Sequence, residues 1–279
     1  MIQKNPRPWT VLQQVQIMGI LNVTPDSFSD GGQHQGLEDA LKHAKKMMDE
    51  GATIIDVGGE STRPGAEQVS ELEELNRVVP IISALRALQE SHYPHVRISI
   101  DTYKAHVAEH AIRAGADIVN DVWGMQKDGD MATVAAHFGV PVIAMHNQTH
   151  TDYAEDLLAS MCAFFDKTLS IALQSGLDPS LLVFDPGIGF GKTPDQNLEV
   201  LRRLKEIVMW GFPVLLGTSR KSTIGKVLDL PADQRVEGTL ATTVLGVKAG
   251  VKVVRVHDVK ENLRAVVMTE AIEKGIVPW

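Results

Sequence analysis

Five times along the chain an amphipathic stretch stops at a glycine and a run of β-branched residues begins within a residue or two: EGATIIDV, AGADIVNDV, FGVPVIAM, WGFPVLLG and AGVKVVRV. Gly51, Gly115, Gly139, Gly211 and Gly250 supply the left-handed residue that ends a helix ahead of the next strand. Three further apolar runs, QIMGILNV at 16–23, VRISID at 96–101 and LLVFDP at 181–186, bring the candidate strands to eight. Apolar runs alternating with helical patterns predict parallel strands joined by crossover helices. Eight of them predict a single (β/α)8 TIM barrel.

Between the first two strands LEDALKHAKKMMDEG places Leu37, Leu41, Ala44 and Met48 on one helical face. Further helices are predicted over 103–114, 129–138, 155–175, 195–209, 235–249 and 260–274. TPDSFSDGG after the first strand and GGESTRPGA after the second are dense in turn residues. In a barrel such connections lie over the active face, where loops close on a substrate. The 279 residues, 44% of them hydrophobic, suit one barrel of about 250 residues plus a short N-terminal extension. Residues 1–15 are expected to form that extension, as a hairpin under the barrel, and 16–279 the catalytic domain.

A formal charge of -8 and a pI near 5.7 exclude a general nucleic-acid or anionic-membrane surface, so a basic site must be local. Arg63, Lys221 and Arg255 would form one. The single cysteine, Cys162, cannot close an intramolecular disulfide and sits beside Met161, Phe164 and Phe165 in a helical packing stripe. The N-terminal MIQKNPRPW lacks the apolar core of a secretory signal, and no uninterrupted apolar stretch reaches membrane-spanning length. These features imply a cytoplasmic protein with neither nucleic acid nor membrane as partner.

Two motifs look chemical and are read as structural. His106, Glu109 and His110 spell HxxEH, but a 100° projection puts them with Arg113 on the face opposite Val107, Ala108, Ala111 and Ile112, which is a solvated face. DPGIGFGKT resembles a phosphate loop, yet Gly187 to Gly191 is one residue short, Pro186 stands where the first glycine is needed, and Pro194 follows Thr193 directly. Its glycines are expected to let backbone approach a ligand closely.

The runs end in Asn22, Glu60, Asp101, Asn120 with Asp121, His146, Asp185, Arg220 with Lys221, and Arg255 with His257. Barrel chemistry sits at that end. Asp101, Asn120 and Asp185 offer acceptors, with one amide donor, suited to the N–H and NH2 edge of a pterin or guanine. Lys221, Arg255, His257 and Arg63 offer donors and positive charge suited to a phosphate or diphosphate. The plain alternative is that strand-end acids and bases cap helices and pair with one another.

NVTPDSFSDGG at 22–32, DVGGESTRPGA at 56–66, IDTYKAHV at 100–107, AGADIVNDVWG at 114–124, FDPGIGFGKT at 184–193, GTSRKS at 217–222 and RVHD at 255–258 resemble the dihydropteroate synthase family, in that family's order. Thr223 stands where a bulky apolar residue is more usual. The resemblance implies a barrel enzyme of folate synthesis that joins 6-hydroxymethyl-7,8-dihydropterin diphosphate to 4-aminobenzoate, with Mg2+, as a homodimer and a sulfonamide target. By motif, Asp101, Asn120, Asp185 and Lys221 would hold the pterin, with Met145 and Phe190 as apolar walls. Asn22 would contact the magnesium diphosphate and serve as metal ligand. Thr62, Arg63, Ser222, Arg255 and His257 would surround the leaving group and aminobenzoate, and Phe28 and Pro64 would shape the aminobenzoate pocket. Arg63, Asp101, Asp185, Lys221 and Arg255 would carry catalysis. A pterin-dependent methyltransferase shares the pterin-holding residues but has no diphosphate to bind, and Arg63, GTSRKS and RVHD argue against it. A non-catalytic pterin-binding paralogue would be expected to lack one of the two loop motifs, and both are present.

Overall fold

The computed structural model describes residues 14–23, 32–61, 68–154 and 156–276. Most of the expected N-terminal hairpin, and Phe28, Thr62, Arg63 and Pro64, lie outside the described residues. Eight strands occur where the apolar runs predicted them: β1 (Gln16–Asn22), β2 (Ile54–Gly58), β3 (Arg97–Asp101), β4 (Ile118–Asp121), β5 (Val142–Met145), β6 (Leu182–Asp185), β7 (Leu215–Leu216) and β8 (Val253–Val256). They pair parallel in the order 6-5-4-3-2-1-8-7. The seam between β6 and β7 is closed by a parallel bridge from Phe184 to Val214, where the Phe184 N–H donates to the Pro213 carbonyl at 2.9 Å. The result is a (β/α)8 barrel.

The helices are α1 (Gly32–Asp49), α2 (Glu71–His92), α3 (Ala105–Ala114), α4 (Met131–Phe138), α5 (Leu157–Gln174), α6 (Pro194–Arg202), α7 (Leu204–Val208), α8 (Ser222–Leu228), α9 (Val236–Ala249) and α10 (Val259–Lys274). Three departures from the sequence reading have local causes. The first is α2, 22 residues long and absent from that reading, which carries Pro80 in its interior, a residue that normally argues for a helix end. It is nonetheless capped by Ser70, whose hydroxyl accepts from the Glu73 N–H, opens with Glu71, Glu73 and Glu74 at its positive end, and docks through Val78, Ile81, Ile82 and Leu85. The predicted helix 195–209 instead breaks at Arg203, whose φ of -100° and ψ of 14° leave the helical region. Its guanidinium there ties Asp156, Glu199 and Glu206 together. The third is α8, too short for its periodicity to register, which ends at Asp229 in the left-handed region.

All five helix-ending glycines have positive φ, from 63° at Gly139 to 123° at Gly115. The strand period of two then sorts side chains into two sets. Outward residues such as Ile17, Leu21, Ile55, Val57, Ile98 and Ile100 join the helix faces in one large apolar cluster. Inward residues Met18, Ile54, Ile118, Ile143, Val183, Leu215 and Val253, one from every strand but β3, fill the barrel as a separate layer. In β3 the matching inward position is the fully buried Ser99, paired in register with Asp56 on one side and Ile118 on the other.

The HxxEH motif behaves as a surface feature. His106 and His110 are exposed, Glu109 pairs with Arg113 at 2.7 Å, and His106 faces Glu71. Cys162 is a free, half-buried thiol on α5. By length and composition α5 could cross a membrane. It is interrupted by Asp166 and Lys167, and it docks on the barrel through Met161 and Phe165, whose ring stacks on Phe184 of β6 at 4.2 Å.

Candidate active site

Two residues beyond the apolar filling layer, the same inward alternation delivers Asp56 from β2, Asp101 from β3 two residues past Ser99, Asn120 from β4, Met145 from β5, Asp185 from β6, Gly217 after β7 and Arg255 from β8. The site therefore forms a polar layer directly above an apolar floor. Ordered backbone on both sides fixes its members by register. Asn120 stands level with Asp101, and Asp185 with Met145.

Arg255 is the hub. Its Nε donates to Asp56 Oδ2 at 2.6 Å and its Nη2 to Asp101 Oδ2 at 2.6 Å. Asp56 Oδ2 also accepts from Asn120 Nδ2 at 3.0 Å, so one of the two N–H donors of that amide is engaged by a carboxylate. The idea that strand-end acids and bases pair with one another is thus correct for Arg255. That pairing leaves acceptors over. Asp101 Oδ1, Asp56 Oδ1 and the Ser99 hydroxyl are buried and lack a hydrogen-bond partner among the described residues. Unsatisfied buried acceptors are costly, about 1–3 kcal/mol each, and at a barrel mouth they mark the place for a donor-bearing ligand.

On the far wall, Asp185 Oδ1 accepts the Gly187 N–H at 2.7 Å. A Cβ placed on Gly217 would lie 3.7 Å from Asp185 Oδ2, 3.8 Å from Lys221 Nζ and 3.9 Å from Arg255 Cβ, so these three residues converge on the face of Gly217. Lys221 Nζ sits 4.7 Å from the centre of the Phe190 ring and donates to the Ile188 carbonyl. Burial pulls the Lys221 amine down to about 8, against Asp185, which raises it. Burial lifts the Asp185 carboxyl above the ordinary range, with Lys221 opposing. Burial lifts Asp101 likewise, with Arg255 opposing and Asp56 adding to the rise.

At the rim, the Asn22 side chain is exposed at the end of β1, its Oδ1 3.8 Å from the point where a Gly58 Cβ would stand, beside Asp101. Ser222 is exposed at the start of α8, and His257 follows β8. The structure thus gathers Asn22, Asp101, Asn120, Met145, Asp185, Phe190, Lys221, Ser222, Arg255 and His257 at one end of the barrel. Glu60 belongs elsewhere. With Glu74 it accepts from Lys104 Nζ, each at 2.6 Å, and it also takes the Val69 N–H, so it anchors the stems of the β2–α2 connection. In DPGIGFGKT, Gly187 packs on the His146 carbonyl and Gly189 on the Lys221 side chain.

Two functional side chains escaped the sequence reading. Asp56 was legible as a lone acid inside the apolar run IIDVG, where burial demands a partner. Ser219 gave no signal. It is buried, accepts the His257 backbone N–H at 3.1 Å and lies 2.9 Å from His257 Nδ1, which fixes how that ring stands.

Among the described residues no cluster of three or more His, Cys, Asp or Glu could hold a metal ion. Asn22 does offer a hard oxygen at the rim, which suits a magnesium ion that arrives on phosphate oxygens and keeps most of its waters.

A barrel mouth whose polar layer sets buried acceptors beside the cations Lys221 and Arg255 defines an enzyme for an anionic heterocycle. Residues 18–257 match the pterin-binding enzyme family, and the chain belongs to it. It is 52% identical to the dihydropteroate synthase of Clostridium beijerinckii over 267 residues, 95% of this chain and 97% of that protein. Among solved structures, the dihydropteroate synthase of Clostridium difficile, determined in the presence of pteroic acid, is 53% identical with a TM-score of 0.89 over 93% of this chain and 97% of that one. That of Xanthomonas albilineans with 4-aminobenzoic acid is 38% identical with a TM-score of 0.87 over 94% of each chain.

Proposed function

We infer that this chain is a pterinylmethyl transferase that condenses 6-hydroxymethyl-7,8-dihydropterin diphosphate with 4-aminobenzoate, giving 7,8-dihydropteroate and diphosphate. The observation that carries the reading is the polar layer itself, with buried acceptors left over on Asp101 and Asp56, and Asp185 beside the cations Lys221 and Arg255. The pterin N–H and NH2 groups meet those carboxylates and the Asn120 carbonyl. Met145 and Phe190 flank its faces, and Lys221 donates to a ring acceptor. The pterin methylene carbon then points to the rim. There its bond to the diphosphate oxygen breaks, the aminobenzoate nitrogen forms the new C–N bond and loses a proton, and the diphosphate leaves with the electron pair.

Negative charge grows on the departing group. Arg255, His257 and Arg63 stabilise it more in the transition state than in the ground state, which is what accelerates the step. Asn22 would hold a magnesium ion accompanying the diphosphate, which would supply further charge neutralisation there. Thr62, Ser222, Phe28 and Pro64 border the aminobenzoate. No protein nucleophile takes part. The exposed apolar side chains Val227, Leu228 and Leu245 on α8 and α9 support association of two copies, and the acidic charge supports a cytoplasmic setting without nucleic-acid partners.

Mixing the protein with the pterin diphosphate, 4-aminobenzoate and Mg2+ should release diphosphate in step with dihydropteroate. Release without aminobenzoate incorporation, or none at all, would overturn the assignment. Chelating the magnesium should abolish turnover while pterin binding persists.

A further inference from the structure

The lysine of the GIGFGKT run has no role in the chemistry above, yet its placement is unusual. Lys192 is 7% exposed and forms no ion pair among the described residues. Its Nζ lies 2.8 Å from His146 Nδ1 and donates to the carbonyls of Gly187 and Phe190, each at 3.1 Å. An ammonium has three donors, and all three are accepted here, two of them by the turn that immediately precedes it in the chain. Residues 187–190 therefore wrap around the Lys192 ammonium.

The surrounding contacts show what is being held. The Gly187 carbonyl also receives the Phe190 N–H at 3.1 Å, Asn197 Oδ1 accepts from the Gly189 N–H at 2.7 Å, and Tyr153 donates to the Gly191 carbonyl at 2.8 Å. Lys221 reaches the Ile188 carbonyl from the site side. The turn is thus gripped between two lysines, one facing the site and one behind it, with Phe190 projecting from the middle. His146 is 2% exposed and stands edge-on to Phe164 at 4.9 Å; burial, and then the nearby ammonium, hold its ring well below the ordinary histidine range, at about 3. Burial also pulls the Lys192 amine down, to about 7, and a neutral imidazole with Nδ1 as acceptor is a partner that suits such a buried amine. Burying a cation costs several kcal/mol unless its donors are met, which makes it an improbable device for shaping an ordinary surface turn.

We propose that Lys192 is a positioning residue, its Nζ anchored on His146 and holding the 187–190 turn by the Gly187 and Phe190 carbonyls so that Phe190 stands as the pterin's apolar wall. This rests on the reading that Phe190 flanks a pterin. In Lys192→Met, pterin affinity measured by calorimetry falls about tenfold while the KM for aminobenzoate stays within about twofold, because three acceptors lose their donor on the pterin side alone. Amide hydrogen exchange in a peptide spanning 187–191 speeds up, and exchange in the barrel strands does not. If Lys192 acts through Phe190, adding Lys192→Met to Phe190→Ala costs less than about threefold in pterin affinity, a non-additivity that a merely structural loss would not show.

Should Lys192→Met fail to fold, Lys192→Gln, which keeps two N–H donors, is read on the same measurements. Native exchange at 187–191 in a folded variant overturns the proposal, as does a tenfold loss that persists undiminished in Phe190→Ala. If the wild-type protein takes up no pterin, it is the functional assignment that falls, and the exchange measurement still decides whether Lys192 holds the turn.

Discussion

Asp185 accepts the Gly187 N–H with one oxygen and leaves the other at the point where Lys221 and Arg255 converge. Replacing it with asparagine turns one acceptor into a donor facing the pterin N–H groups, so Asp185→Asn is expected to weaken pterin binding about tenfold to hundredfold by calorimetry. Asp101 permits a pH test. Its native carboxyl titrates above the ordinary value near 4, so between those two values the folded protein holds a proton that the unfolded chain has lost. Stability from this group therefore falls as pH rises through that window. Asp185 and Asp121 push the same way and His146 the opposite way, so the expected outcome is a difference. Ligand-free Asp101→Asn should lose less stability than wild type between about pH 4 and 7 in urea titrations, while failing to bind pterin. Under the proposal that Arg63 acts on developing charge, Arg63→Ala should lower kcat by the equivalent of about 2.7–4 kcal/mol, as deleting one oxyanion donor does, with pterin affinity largely kept. Normal kcat with only a raised KM would contradict that role.

At the scale of elements, the connection from β6 to α6 is tightly specified by its contacts. Gly187 has a φ of 67°, and a side chain there would overlap the His146 carbonyl oxygen. Gly139 has a similar φ of 63° but nothing within 4 Å of where its Cβ would stand. The pair separates backbone preference from packing. Gly139→Ala should cost about 1–2 kcal/mol, the penalty of a left-handed residue. Gly187→Ala should cost more in denaturant titrations and also weaken pterin binding, because the turn must move. Equal costs would show that contact with His146 is not what shapes the loop. Helix α2 is a second lesson at this scale. Its interior Pro80 hid it from a periodicity reading, whereas the Ser70 cap and the buried Val78, Ile81, Ile82 and Leu85 hold it in place.

Over the whole molecule, closure rests on a short seam. β7 has two residues and meets β6 through one isolated bridge, so side chains help hold the barrel there, with Phe165 stacked on Phe184 and Phe212 tilted against it. Outside the barrel, Val227 is 59% and Leu245 55% exposed on adjoining helices, an apolar surface that a second copy would cover. The wild-type protein is expected to sediment as a dimer, and Val227→Asp with Leu245→Glu should shift it to monomer at micromolar concentration with its barrel intact. A monomeric wild type would remove dimerisation from the account.

The local repeat of apolar run, helix and glycine determined the barrel and the strand ends at which chemistry collects, because period and turn propensity are properties of neighbouring residues. Residue type at those ends also announced an acceptor floor and a cationic rim. Which acid meets which base was decided only by the tertiary structure. Arg255 finds Asp56 across 199 positions of sequence and Asp101 across 154, and those pairings exist because closing the sheet sets β8 beside β1 and turns the inward faces of all the strands toward one axis. The same closure carries the Asn120 amide to Asp56, brings His257 against Ser219, and sets Lys192, which in sequence resembles the lysine of a phosphate loop, on His146. A hydrogen bond between distant strands leaves no local periodicity behind it, so no reading of the chain alone could have found these pairs.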